Sequence, residues 1–367
     1  MRVLSKQLFS ATRSYLNRST RLSLSCTTLR LCSSAAIQTI EKKVNPFGKL
    51  NINLPYNVEI KATDPHKYPN MDTLLVKLFS NEVTDMKDDL IKVDVSDVTQ
   101  IEALENNYIG DIKCVIEVPV RYDIDAKTVG EGNVAISGLI SSSINVQTEY
   151  GSIVGAKLQG ENIVFSSSEG GSITLQKGVQ GNIEINTAGD GAVTTDKCAG
   201  NELDISTENG DINLGSNYCE RSTFSTVNGN MYLNNLHLNS TIDITGTGSL
   251  KICKYLIIKT CLDGSLQANL QDGPAKIQLV RLTGDSEIKS QNDVSLTIPE
   301  DNDAKLILKA SKLYIDHKFT GEYSDDGKQF VSENTGNAFK VETNQSIQVA
   351  PSDWIESLGL KQSVKKH

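Results

Sequence analysis

Aromatic side chains make up only 5% of the 367 residues, and tryptophan occurs once, at Trp354. Hydrophobic residues reach 38%, low for an enzyme of this length. A thick core built on large rings is therefore excluded; a thin fold filled by stacked aliphatic side chains is not. No run approaches 18 consecutive apolar residues, so no membrane-spanning helix is expected. The 4 histidines, His66, His237, His317 and His367, stand apart from one another and outside any HExxH pattern, which argues against a transition-metal site. GxSxG, a strand-linked GxGxxG and GxxxxGK[ST] are all missing, so neither a nucleophile elbow nor a nucleotide loop is readable. The 7 cysteines (Cys26, Cys32, Cys114, Cys198, Cys219, Cys253, Cys261) are widely spaced without CxxC. That is no disulfide framework or zinc pattern; it reads as free thiols in a reducing compartment.

Acid is absent from residues 1–40, which hold six basic groups: Arg2, Lys6, Arg13, Arg18, Arg21 and Arg30. The whole chain carries −9, so the remainder, with 30 basic and 45 acidic residues, carries −15. A body this acidic lacks the clustered cations that neutralise phosphates, which excludes nucleic acid as a main partner. The Arg- and Ser-rich, acid-free opening has the composition of a mitochondrial transit peptide. Arg13, Arg18 and Arg21 interrupt any secretory apolar core. Residues 1–36 are therefore expected to be a mitochondrial address, cut near residue 33, with the matrix as the destination.

What the chain does have is a glycine column: Gly132, Gly151, Gly171, Gly191, Gly210, Gly229, Gly248 and Gly264. Successive steps are 19, 20, 20, 19, 19, 19 and 16 residues. A fixed period of this size is the sign of a solenoid. Before each glycine lies an aliphatic pair with one residue between: Ile144/Val146, Ile163/Phe165, Ile183/Ile185, Leu203/Ile205 and Leu256/Ile258. A hydroxyl column follows, at Thr148, Ser167, Thr187, Thr207, Thr226 and Thr260. Two residues after the glycine an aliphatic returns, at Ile153, Ile173, Val193, Ile212, Met231, Leu250 and Leu266. Alternation with period 2 predicts short strands with one face buried. The glycines then mark corners, expected to need positive φ. A weaker set, Gly138, Gly160, Gly181 and Gly200, marks the opposite corner. The predicted fold is all-β: a parallel β-solenoid with coils of about 19–20 residues, stabilised by neighbouring coils.

Residues 37–120 alternate as well (Leu50, Ile52, Leu54; Val58, Ile60; Ile112–Val120) and form a β-rich leader or N-terminal cap. The solenoid is expected over 121–350, with a hairpin turn at Ser324–Gly327. Asp353 and Glu356 form a capping box, so residues 351–367 are expected to be a short helical cap plugged by Trp354. Outward carboxylates Glu184 and Asp204 could stack as an acid/base pair, but no aromatic strip for sugar rings accompanies them.

The repeated I-x-I-x-T-x-x-G-x-I pattern from Ile144 to Leu266, led in by Ile116–Gly138, resembles the adhesin-like β-solenoid domain family. Together with Asn45–Asn70 and the basic leader, it is similar to an animal family of the "family with sequence similarity" series. The resemblance implies an architecture and brings no catalytic residues. The reading is a non-enzymatic scaffold or binding protein of mitochondria, without cofactor, acting on an unidentified protein partner. A carbohydrate-active β-helix enzyme and a self-assembling structural protein are the alternatives.

Overall fold

The computed structural model describes residues 36–80, 89–104, 112–236, 239–244, 250–252, 265–271, 273–279, 282 and 284–352. They all fall within one unit, Ala36–His367. Every regular element among them is a β-strand. The transit segment, Gly248, Gly264, Trp354 and the helical cap lie outside the described residues.

Each coil contributes to two stacked faces. One face holds, in spatial order, Lys49–Leu54, Asp123–Thr128, Ile140–Thr148 and then the second halves of Ile153–Ser167, Ile173–Thr187, Val193–Thr207 and Ile212–Thr226. The other holds Asn57–Ala62, Val134–Ser137 and the first halves of the same four long strands. All these pairings are parallel, as coil-on-coil stacking demands. The four long strands are 15 residues each and bend midway, so one continuous strand serves both faces.

The predicted aliphatic pairs are the core. Ile144/Val146, Ile163/Phe165, Ile183/Ile185 and Leu203/Ile205 are in register and buried. Leu256/Ile258 lie outside the described residues. Across the core stand Ile153, Ile173, Val193, Ile212 and Met231, also buried. Gly155 sits among them because a Cβ there would meet Leu175 Cδ2 at 2.9 Å and Phe165 Cζ at 3.3 Å. One coil departs from aliphatic stacking. Asn217 and Ser222 are buried where the preceding coil has Cys198 and Leu203. Asn217 Nδ2 donates to Ser222 Oγ at 2.5 Å, and its Oδ1 accepts Cys219 N–H at 3.1 Å. The two polar side chains satisfy each other, which makes their burial tolerable.

The glycine column does lie at a corner, but not for the expected reason. Gly132, Gly151, Gly171, Gly191, Gly210 and Gly229 have no positive φ. The constraint is approach: a Cβ on Gly151, Gly171, Gly210 or Gly229 would lie 2.0 Å from the carbonyl oxygen of the preceding column glycine. Positive φ at this corner falls instead on Gly130, Gly170 and Gly189. The hydroxyl column ties the corner down. Thr128, Thr148, Thr187 and Thr207 each donate Oγ1–H to the carbonyl of their own column glycine, at 2.5–2.7 Å. The opposite corner also needs correction. Gly160 is in register with Ser141, not Gly138. Positive φ there falls on Gly138, Lys157, Lys177, Gly178, Gly181 and Gly200, so Gly138 is a corner glycine but stands level with Lys157.

At both ends, the order of coils in space departs from their order in the chain. The coil of Lys49–Leu54 and Asn57–Ala62 lies between Thr99–Ala103/Ile112–Val118 and Asp123–Thr128/Val134–Ser137. The coil of Ala338–Thr343 and Ser346–Pro351 lies between Ser286–Ser290/Val294–Ile298 and Lys305–Lys309/Lys312–Ile315. Antiparallel strands cover the outer coils: Thr73–Ser80 and Gln38–Lys43 at one end, and the Gly321–Tyr323/Gln329–Ser332 hairpin at the other. The hairpin turns at Gly327, as read from the sequence.

Candidate functional site

The bend in the long strands is stabilised by a second close-approach ladder. A Cβ on Gly181 would lie 2.0 Å from Gly160 O, and one on Gly200 would lie 2.0 Å from Gly181 O. With no side chains at these positions, the surface is recessed. The result is a groove of about 1010 Å³ that runs across the coils along the glycine floor. Its walls are amides. Gln159 and Gln180 are in register on adjacent coils, as are Asn162 and Asn182, and Asn201 continues the lining. Asn182 Nδ2 reaches Asn162 Oδ1 at 3.5 Å. Gln159, Gln180 and Asn201 keep their amide groups free of side-chain partners among the described residues.

One end of the groove is built by residues 47–49 of the leader together with Asp97, Arg121 and Asp123. Phe47 is 68% exposed there, and the Arg121 guanidinium lies 5.9 Å from its ring centroid. Asp123 Oδ1 accepts the N–H groups of Ser142 and Ser143, both at 2.9 Å, which fixes the wall on which Ile140 and Ser142 stand. Lys49, Asp97 and Glu161 also line the space. Charges of both signs and many amides suit a polar ligand of low net charge.

The sequence-predicted acid pair is elsewhere. Glu184 and Asp204 are in register on the flat face, between Val164 and Thr223. Glu184 Oε1 accepts Asn186 Nδ2–H at 2.7 Å, and neither carboxylate lines the groove. No group of three His, Cys, Asp or Glu side chains among the described residues is placed to hold a metal ion. His66 sits in the Pro-flanked turn, its N–H on Asp64 Oδ1, and His317 is 88% exposed at its side chain beside Asp316. Burial pushes the thiols of Cys114, Cys198 and Cys219 up to about 12, so they are poor nucleophiles at neutral pH.

Sequence reasoning missed the groove because it treated the second glycine set as corners alone. The signal was present: Gln159-Gly160 and Gln180-Gly181 repeat, and each is followed by Asn within two residues. Phe47 and Arg121 gave none, since only folding brings them together.

A family model described as Toastrack DUF4097 matches residues 47–349. Among solved structures, the chain is similar to a candidate adhesin of Parabacteroides merdae at 11% identity, covering 85% of this chain and 95% of that one, with a TM-score of 0.38. A candidate lipid-binding protein of Parabacteroides distasonis matches at 14% identity, 85% and 96% coverage, and a TM-score of 0.36. A candidate adhesin of Bacteroides fragilis matches at 11% identity, 85% and 96% coverage, and a TM-score of 0.26.

Proposed function

Because this chain belongs to the Toastrack family, whose fold is a β-solenoid-like repeat, we propose that it is a non-enzymatic scaffold that holds an extended partner along its amide-lined groove. The groove is the observation that carries this reading: about 1010 Å³, crossing several coils, with the amides of Gln159, Gln180 and Asn201 free of side-chain partners among the described residues. The backbone of each coil already pairs with its neighbours, so a partner lying across the coils cannot add as a strand. Recognition therefore rests on side-chain amides, on Phe47 and Arg121, and on groups exposed by the glycine floor. The flat position of Glu184 and Asp204 favours a binding role over acid/base chemistry.

The basic, acid-free leader supports import into the mitochondrial matrix, and the animal-family resemblance is part of the same proposal. A reporter fused to residues 1–40 is expected to become protease-protected in isolated mitochondria in a potential-dependent way. A reporter left outside contradicts the address. For binding, a Gln159→Ala/Gln180→Ala/Asn201→Ala chain is expected to lose its cross-linked partner in cells while its thermal midpoint stays within about 2 °C, since exposed substitutions cost little. Undiminished cross-linking by this variant sinks the groove as the binding site.

A further inference from the structure

The displaced C-terminal coil is built as a separable part. Residues 338–351 fill a slot whose two walls, residues 286–298 and 305–315, are neighbours in sequence. Both walls precede the insert along the chain, and in the sheet the insert alone bridges them. Its registers are matched on both sides. Val341 faces Ile288 on one wall and Leu308 on the other; Val349 faces Leu296 and Ile315.

The polar fixings obey the same logic, because each joins the insert to a wall. Asp285 Oδ1 accepts Ala338 N–H at 2.8 Å. Asp293 Oδ1 accepts the Ser346 N–H at 3.1 Å and its hydroxyl at 2.6 Å. Lys309 Nζ meets Glu342 Oε1 at 2.6 Å, and Thr343 Oγ1 donates to Asn292 O at 2.5 Å. None of these depends on the hinge, residues 333–337. That hinge is largely exposed and is held to Thr320 and to residues 302–305 by a handful of hydrogen bonds.

We propose that residues 338–351 are an exchangeable insert whose second home is the same slot in another copy of this chain, giving a strand-exchanged dimer. A second copy is the occupant that fits, since it alone supplies Val341, Glu342, Thr343, Ser346 and Val349 in the order the walls require. Exchange preserves every one of these contacts, so the balance between monomer and dimer is set by hinge length and concentration. The dimer carries two grooves, which raises the hold on any partner with two matching segments through effective concentration.

The Lys309–Glu342 pair reads out the exchange directly. Equal amounts of ¹⁴N- and ¹⁵N-labelled full chain are unfolded together, refolded at high concentration, and treated with a carbodiimide, which joins an amine to a carboxylate in contact. The doubled-mass fraction is expected to yield Lys309–Glu342 peptides of mixed label, and the monomer fraction only peptides of single label. A chain lacking residues 334–336, whose hinge is too short to return to its own slot, is expected to run at doubled mass and give mixed-label peptides. If both chains stay at monomer mass, or if their dimers contain only single-label peptides, the exchange does not occur. Should the shortened chain fail to fold, the refolded native chain decides alone.

Discussion

Gly210 and Gly189 are both corner glycines, yet they answer to different constraints. A Cβ on Gly210 would lie 2.0 Å from Gly191 O, and its φ is not positive. At Gly189 the φ is 57°, and the nearest atom to a Cβ is 3.4 Å away. Asparagine tolerates positive φ but brings a Cβ. Gly210→Asn should therefore destabilise by about 2–3 kcal/mol, as overpacking does, whereas Gly189→Asn should cost about 0.5 kcal/mol or less; denaturant titration distinguishes them. Asn217→Ala should cost about 2 kcal/mol, because it strands the buried Cys219 N–H and Ser222 hydroxyl. The thiols give a pH prediction. Their unfolded value is 9.0 and burial raises Cys114, Cys198 and Cys219 to about 12, so the unfolded chain releases protons first as pH rises. Their contribution is complete below pH 9 and is lost progressively from there toward pH 12, while a thiol-labelling reagent at pH 7 should find them only on unfolding. The column positions could be read from spacing alone. Their cause could not, because close approach between coils is a property of two strands and φ is a property of one.

At the scale of the element, the coil is the unit of stability. Val193, Thr194 and Thr195 pair with Ile212, Asn213 and Leu214 on one side and with Ile173, Thr174 and Leu175 on the other. Removing residues 192–210, one full period, would bring Ile173 against Ile212 and Ile185 against Phe224. That deletion should fold and unfold cooperatively with a modestly lower midpoint by circular dichroism, since stacked repeats lose one nearest-neighbour interface. Removing residues 192–201 alone should abolish cooperative unfolding, because half a period puts a face where a corner belongs. Period-2 patterning made the strands and their buried residues legible over 144–231, and the leader's Leu50, Ile52 and Leu54 too. It could not reveal that strands such as Ile173–Thr187 run unbroken through the bend, because a bend at Lys177 and Gly178 leaves the alternation of the flanking segments intact.

For the whole solenoid unit, function follows from which surface is left unfilled. The coil order at the ends was hidden from the sequence, since any aliphatic coil has the right pattern to follow any other. What selects the neighbour is a set of side-chain fixings such as Asp293 on Ser346, which become visible only when the coils are stacked. The groove was hidden for the related reason that its walls come from several coils. Its location nevertheless makes a sharp claim: partners meet the bend, not the flat faces. A photo-activatable residue placed at Gln180, at Thr223 on one flat face or at Ser295 on the other tests this most directly. On irradiation in cells, Gln180 should give a discrete adduct of defined mass, while Thr223 and Ser295 should give none. Equal adducts at all three positions, or an adduct at a flat face alone, would contradict the account.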